Sequence, residues 1–252
     1  MIKINSYLLV CISATTTGIA QHPVGLGFLS WVSLIPFLKV LVGQNRYRDI
    51  LKYSLLWGIL YHLVVVFWLS TNVGTNSTIA FISMLAAVFI LCCNTIIICS
   101  IWFLIKDNVK YSLVIFSMIW VSVEYLRSYG LLGFPWVSLA NTQTDFLYLI
   151  QNAQFVGIYG ISFWVLLMNV FLFNFKNYHY KDKELYIALF ILVLPWIIGY
   201  RLFEQYNHKS PDDGLSTLLV QPNINLYDKR DFTSKEQTLD KIINVTHDYL
   251  LD

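Results

Sequence analysis

Seven apolar stretches divide most of this chain, and lysine and arginine residues occupy only every second gap between them. A helix needs about 20 mostly apolar residues to cross a hydrocarbon core of about 30 Å. Hydrophobic residues make up 57% and charged residues 13% of the chain, whereas about a quarter of a soluble domain is charged. We therefore predict a multi-pass helical membrane domain. The predicted spans are Asn5–Ala20, Val24–Val42, Leu51–Thr71, Ile79–Ile105, Tyr111–Arg127, Phe155–Phe175 and Leu185–Leu202.

The basic residues also predict the orientation of these spans. One set of span ends carries Lys3, Lys39, Arg46, Arg48, Lys52, Lys106, Lys110, Lys176, Lys181 and Lys183. The opposite ends hold Gln21–Pro23, Asn72–Thr78 and Ser128–Gln154, where Asp145 is the only charged residue. Lysine and arginine are retained on the cytoplasmic side of a membrane. We expect a cytoplasmic N-terminus, with everything after Arg201 on the outer side.

The first span has a second interpretation. Lys3, a short apolar run and Gly18–Ala20 are also typical of a signal peptide that is cleaved after a small residue. Cleavage after Ala20 leaves Gln21 outside and changes nothing downstream, so topology does not decide between the two. We predict an uncleaved hairpin that turns at Pro23.

Charge and cysteine content exclude some classes of site. The net charge is only +2, and the basic residues serve topology, so we predict no nucleic-acid partner. All four cysteines lie inside predicted spans, where the favoured role is that of small packing residues. They are Cys11, Cys92, Cys93 and Cys99. No metal-binding or cofactor-binding motif is present, and we predict neither a metal site nor a cofactor.

Composition changes after Arg201, where charged residues become frequent. The stretch Ser210–Gly214 is typical of a linker, and Leu215–Gln221 is an apolar run of strand length. The segment Thr233–Asp252 begins with a capping-box pattern and continues with apolar residues at helical spacing. We predict two domains, a membrane domain over residues 1–204 and the start of an α/β domain over residues 205–252. One strand and one helix are too small to fold alone, so the remainder is expected to be absent or supplied by another chain.

Two groups of residues near the outer end of the fifth span are site candidates. Glu124 and Arg127 face the same way at i,i+3, and they form either an interfacial ion pair or a functional pair at membrane depth. Gly130–Trp136 is rich in glycine and proline, which predicts non-helical backbone. Its Phe134, Pro135 and Trp136, together with Gln143, either belong to an interfacial aromatic belt or frame a lipid headgroup pocket.

The segments His22–Leu38, Trp120–Arg127 and Gly133–Trp136 stand out as motifs. They resemble the first hairpin and the central motifs of one family, the bacterial apolipoprotein N-acyltransferases. Gly157–Phe163 resembles its entry into the sixth span, and Leu219–Ile224 resembles the first strand of its nitrilase-like (carbon–nitrogen hydrolase) domain. The five segments occur in the family's order, and the resemblance extends over essentially the whole chain.

The resemblance implies an enzyme of the bacterial cytoplasmic (inner) membrane that performs the last step of lipoprotein maturation. The family transfers an acyl chain from a phospholipid donor to the α-amino group of a diacylglyceryl-cysteine acceptor. A cysteine carries the acyl group as a thioester, a glutamate acts as general base and a lysine stabilises the oxyanion. All three lie beyond Asp252, so no catalytic residue is assigned in this chain. We expect a truncated enzyme, or one half of a split enzyme whose separate nitrilase-like chain supplies these residues. Asp228–Asp231 departs from the family, which often has tryptophan there.

A different class of function stays open from the residues alone. The chain has the size of a small multi-pass transporter or of a non-catalytic membrane scaffold. Transport pathways usually place ionisable residues at mid-membrane, and the predicted spans hold few of them. His62, inside the third span, is the exception. We interpret it as a packed or cavity-facing histidine, because no second ligand follows at i+3 or i+4.

Overall fold

The computed structural model describes residues 5–130, 133–177, 182–207, 218–221 and 234–250. Its regular structure over these ranges is helical. The α-helices are α1 (Ser6–Ile19), α2 (Ile35–Val42), α3 (Tyr47–Val65), α4 (Ser77–Ile105), α5 (Ser112–Arg127), α6 (Leu147–Ile150), α7 (Ala153–Asn177), α8 (Asp182–Asn207) and α9 (Ser234–Leu250). Short 3-10 helices cover Gly27–Trp31, Phe67–Thr71, Pro135–Val137 and Leu139–Gln143.

Each predicted span coincides with a helical region, but two predicted boundaries are wrong. The second predicted span is two pieces, the 3-10 helix Gly27–Trp31 and then α2. Pro36 lies in the first turn of α2, where its missing N–H costs nothing and its fixed φ favours a new helix start. The third predicted span, Leu51–Thr71, contains the end of α3 at Val65 followed by a separate 3-10 turn.

Within the described ranges, two helices are long and apolar enough to cross a membrane. They are α4, with a mean hydropathy of 2.6, and the Ala153–Phe175 part of α7, with a mean hydropathy of 2.0. The helical stretches Ser6–Ile19 and Gly27–Val42 are apolar but shorter. The fold is therefore that of a helical domain suited to a membrane, while the count of seven spans and their orientation stay predictions.

The core forms around α3, which packs against α1 on one side and α4 on the other. Buried Trp57 of α3 lies at its centre, stacked on Phe37 and Tyr61 with ring centroids 5.2 and 4.6 Å away. The ring of Trp120 from α5 meets Trp57 edge to face at 5.5 Å. Because a buried indole N–H needs a partner, Trp57 donates to the Ser13 hydroxyl of α1 at 3.0 Å.

Helix α8 contains Pro195 in its interior. Proline has no N–H, so the carbonyl of Ile191, four residues earlier, loses its helical partner. Trp164 of α7 fills that role, because its indole N–H donates to the Ile191 oxygen at 3.2 Å. Asn152 donates to the Pro195 carbonyl at 2.7 Å. The proline therefore fixes α8 against its neighbours, as happens in membrane helices where adjacent helices satisfy freed backbone groups.

The tail is described only in part. Helix α9 confirms the helix predicted over Thr233–Asp252. Residues 218–221 of the predicted strand Leu215–Gln221 carry no assigned secondary structure, and residues 215–217 lie outside the described ranges. The linker Ser210–Gly214 and the first residue of the predicted capping box also lie outside them. The boundary between residues 204 and 205 stays a prediction.

Candidate functional site

The segment Gly133–Gln143, here called the outer segment, follows α5 and is held to it by the Glu124 side chain. Glu124 is buried, with 1% of its surface exposed. Its Oε1 atom accepts hydrogen bonds from the Leu139 backbone N–H at 2.9 Å and from the Trp120 indole N–H at 3.1 Å. Through these two hydrogen bonds, the buried Glu124 side chain anchors the middle of the outer segment to α5.

Further backbone contacts fix the outer segment on both sides of that anchor. The Phe134 N–H donates to the Arg127 carbonyl at 3.0 Å, and the Ala140 N–H donates to the Ser162 hydroxyl of α7 at 2.9 Å. Non-helical backbone at membrane depth must find such partners inside the protein. The outer segment is thus a fixed element between α5 and α7.

The predicted ion pair between Glu124 and Arg127 is wrong. Their i,i+3 spacing brings them to one side of α5, but no nitrogen of Arg127 lies within 4.0 Å of a Glu124 oxygen. The carboxylate turns instead toward the Leu139 N–H, a partner from outside the helix that sequence spacing does not reveal. The Oε2 atom of Glu124 and the Nε and Nη2 atoms of Arg127 are buried without hydrogen-bond partners.

His62 joins the same polar cluster. It is buried, its Nδ1 atom lies 2.7 Å from the Gly58 carbonyl, and its Nε2 atom has no partner. Its unpaired nitrogen adds to the unpaired buried atoms of Glu124 and Arg127. Within the part of the chain that the structure describes, these three side chains hold all the buried side-chain nitrogen and oxygen atoms without a hydrogen bond. His62 is thus a packed histidine with one free acceptor, in line with its interpretation from the sequence.

Gln143, the last residue of the outer segment, is fully buried. Its Oε1 atom accepts from the Trp31 indole at 2.8 Å, and its amide nitrogen donates to the Ser30 hydroxyl at 2.8 Å. Close packing reinforces this contact, because a Cβ atom on Gly27 would lie 1.9 Å from the Thr142 carbonyl oxygen. Gln143 therefore joins the outer segment to the first hairpin.

A cavity of about 320 Å³ opens beside the outer segment. Its lining residues come from the turn that follows α1, from the end of α3 and the 3-10 helix after it, and from the outer segment and the residue that follows it. They are Gln21, His22, Pro23, Val65, Val66, Trp68, Phe134, Trp136, Val137, Asn141 and Thr144. We call this cavity the outer pocket. Phe134 and Trp136 line this cavity, whereas Pro135 and Gln143 do not. The role of the cavity as a lipid headgroup pocket stays a prediction.

Polar contacts from neighbouring helices shape the floor of the outer pocket. Tyr61 donates to the Val137 carbonyl at 3.0 Å. Gln21 donates to the Tyr61 hydroxyl and to the Ser138 carbonyl, the latter at 3.2 Å. His22 contacts the Val64 carbonyl at 2.9 Å through Nε2. The sequence does not reveal the roles of Gln21, His22 and Tyr61, because their partners are distant in the chain and no local spacing marks them.

A family model described as the apolipoprotein N-acyltransferase N-terminal domain matches residues 13–171. The apolipoprotein N-acyltransferase of Chlorobaculum tepidum is 25% identical over 224 residues, which cover 86% of this chain and 41% of the relative. That of Haemophilus influenzae is 27% identical over 234 residues, covering 89% and 44%. Apolipoprotein N-acyltransferase 1 of Treponema denticola is 30% identical over 215 residues, covering 79% and 37%. The chain therefore spans less than half the length of these relatives.

Proposed function

Since the chain belongs to the apolipoprotein N-acyltransferase N-terminal domain family, as its motifs predicted, we propose that it is the membrane part of such an enzyme. The reaction moves an acyl chain from a phospholipid to the α-amino group of a diacylglyceryl-cysteine on a lipoprotein. One observation carries this proposal: the matched range, residues 13–171, contains every residue that lines the outer pocket. The pocket is thus built from the portion of the chain that the family shares.

The outer pocket is proposed to receive the polar end of a lipid-bearing substrate. Its lining combines apolar side chains such as Val66 and Trp136 with the polar side chains of Asn141 and Thr144. Its volume falls in the range of about 300–1,000 Å³ that small-ligand sites occupy. A lipid has apolar and polar groups next to each other, at the junction of its acyl chains and its headgroup. The anchoring of the outer segment by Glu124 supports a preformed pocket.

The covalent chemistry is proposed to belong to polypeptide outside these 252 residues. In the family a cysteine thiolate attacks the phospholipid ester, releases a lysophospholipid and holds the acyl group as a thioester. The lipoprotein amine then attacks the thioester and releases the thiol. Residues 205–252 are proposed to begin the nitrilase-like domain, and its remainder, with the glutamate, lysine and cysteine, belongs to the same protein or to a separate nitrilase-like chain.

The location of the protein is proposed to be the bacterial cytoplasmic membrane. The two long apolar helices α4 and α7 support insertion into a bilayer. The distribution of lysine and arginine supports a cytoplasmic N-terminus and a periplasmic tail. In this orientation the outer pocket opens toward the periplasm, the side on which the family's lipoprotein substrates lie.

Acyl transfer in a reconstituted bilayer tests this proposal. The chain is combined with the nitrilase-like portion of the Haemophilus influenzae relative in phosphatidylethanolamine-containing vesicles, and the mass of a diacylglyceryl-cysteine peptide is measured. We expect the peptide to gain one acyl group only when both polypeptides are present. Acyl transfer by this chain alone contradicts the proposal. The proposal is also contradicted if the two polypeptides together transfer no acyl group while the nitrilase-like portion is active with the relative's own membrane part.

A pair of neighbouring variants tests the outer pocket in the same assay. Thr144 is exposed and lines the pocket, whereas Asp145 is exposed and does not. We expect Thr144→Trp to fill the pocket and to lower the transfer rate by about ten-fold or more, while Asp145→Trp leaves it within about two-fold, since pocket contacts are typically each worth about 1–3 kcal/mol. Equal rates for the two variants contradict a substrate role for the pocket.

A further inference from the structure

A second concavity lies on the flank of the molecule, between α5 and α7. It has a volume of about 390 Å³ and is lined by Val121, Ser122, Tyr125, Leu126 and Tyr159. We call it the flank groove. Of the described residues that line it, none is charged, and Leu126 at its rim is 68% exposed. The groove is therefore a shallow and mostly apolar concavity beside the C-terminal half of α5.

The end of the flank groove nearest the outer segment carries linked hydroxyl groups. Tyr159 donates to the Ser128 hydroxyl at 2.9 Å, and Ser128 in turn donates to the Tyr125 carbonyl at 2.7 Å. Tyr129 donates to the Tyr125 hydroxyl at 2.8 Å, and this hydrogen bond raises the pKa of Tyr129 above its usual range.

One of these hydroxyl protons, that of Tyr125, is not donated to any acceptor among these contacts. A tyrosine hydroxyl has one proton to donate, and those of Tyr129, Tyr159 and Ser128 are each given to a named acceptor. The Tyr125 hydroxyl accepts from Tyr129, and its own proton is directed to no protein group among these contacts. Tyr125 is 46% exposed, so in a bilayer its hydroxyl faces lipid, where a donor without an acceptor costs free energy.

We infer that the flank groove holds one acyl chain of a membrane phospholipid, with the lipid's ester carbonyl accepting the Tyr125 proton. The inference rests on the membrane placement in the proposed function. The charge pattern selects this occupant: a groove without charged side chains does not neutralise a headgroup, whereas a single phenol donor matches a neutral ester oxygen. The depth agrees, since Tyr125 lies in the last turn of α5, at the predicted outer interface where ester groups lie.

Photocrosslinking in a bilayer tests the site directly. The full chain is reconstituted in phosphatidylglycerol vesicles that contain a small fraction of phosphatidylethanolamine with a diazirine in one acyl chain. Crosslinked peptides are then mapped by mass spectrometry. We expect the yield at Val121, Ser122 and Leu126 to exceed that at Phe89, a residue of α4 that is 70% exposed and lies outside the groove, by about three-fold or more.

Two tyrosine variants separate this site from a general aromatic belt. Tyr125→Phe removes the free donor and is expected to lower the groove yield by about two- to ten-fold, the range of one hydrogen bond. Tyr129→Phe removes the other hydroxyl of the pair but leaves the Tyr125 donor, so the yield is expected to stay within two-fold. An aromatic belt without a specific site predicts equal effects, and that result overturns the inference.

Filling the groove gives a second readout. Ser122→Trp occupies it, whereas Met118→Trp adds the same side chain to an exposed position of α5 outside the lining. We expect only the first to abolish the excess over Phe89. Equal crosslinking yields at the groove and at Phe89 overturn the inference. A competition experiment in which a diacylglyceryl peptide lowers the groove yield and unlabelled phospholipid does not lower it also overturns the inference. Failure of the membrane placement is distinct, because it removes the crosslinks at Phe89 as well.

Discussion

Glu124 is the residue whose role changes most between sequence and structure. Its spacing to Arg127 predicts an ion pair, yet its Oε1 atom holds the Leu139 N–H and the Trp120 indole. Both donors are inside the protein, where an unpaired polar group costs about 1–3 kcal/mol. Glu124 therefore connects α5 to the outer segment and, through it, to the outer pocket.

Substitution of Glu124 tests this connection. Glu124→Ala leaves both donors unpaired and is expected to lower the free energy of unfolding by about 2–4 kcal/mol. Glu124→Gln retains an acceptor oxygen and is expected to lose less than Glu124→Ala. Unfolding in detergent micelles, followed by circular dichroism, measures the difference. An ion pair with Arg127 as the main role predicts instead that both variants lose the same amount.

Gly27 shows how one missing Cβ atom positions a whole segment. An added Cβ atom would lie 1.9 Å from the Thr142 carbonyl oxygen, so Gly27→Ala is expected to push the first hairpin away from the outer segment and to cost about 1–3 kcal/mol. Gly43→Ala is the matched control, because the nearest atom to its added Cβ is 3.5 Å away. Thermal unfolding of the two variants provides the test, and equal midpoints contradict the packing described.

At the scale of elements, α8 depends on a bond from its neighbour. The Trp164 indole donates to the Ile191 carbonyl that Pro195 leaves without a partner. Trp164→Phe is expected to cost about 0.5–1.5 kcal/mol for that bond, in addition to the lost ring contacts. In a Pro195→Ala background the helix supplies its own donor, so the cost of Trp164→Phe is expected to be smaller. A double-mutant cycle in unfolding free energy measures the difference, and a coupling of zero contradicts the compensating role of Trp164.

The helices themselves are largely predictable from the sequence, and their breaks less so. Hydropathy and charge placed α4 and α5 to within about two residues, because a long apolar run satisfies its backbone in only one way within a membrane. The start of α2 beside Pro36 agrees with the preference of proline for the first turn of a helix, whereas hydropathy alone predicts one continuous span. The site contacts of Tyr61 and Gln143 depend on partners more than 70 residues away in the chain. Local periodicity in the sequence does not predict contacts between residues that far apart.

At the scale of the molecule, the polar features concentrate at one end. The outer segment, the outer pocket and the hydroxyl groups of the flank groove all adjoin the C-terminal end of α5. The cluster of Glu124, Arg127 and His62 lies at the same end. The predicted cytoplasmic ends carry the lysine and arginine residues instead. We therefore propose that one face of the domain binds lipid and that the basic residues of the other face fix the orientation in the membrane. The proposal depends above all on which side of the membrane the polar face occupies.

Cysteine labelling in intact cells measures this orientation directly. In a variant without its native cysteines, Thr75→Cys and Asn108→Cys place single thiols on exposed positions at the two predicted faces. We expect a membrane-impermeant maleimide to label Thr75→Cys in intact cells and to label Asn108→Cys only after the membrane is permeabilised. Labelling of Asn108→Cys but not Thr75→Cys in intact cells would place the outer pocket in the cytoplasm and contradict the proposed role.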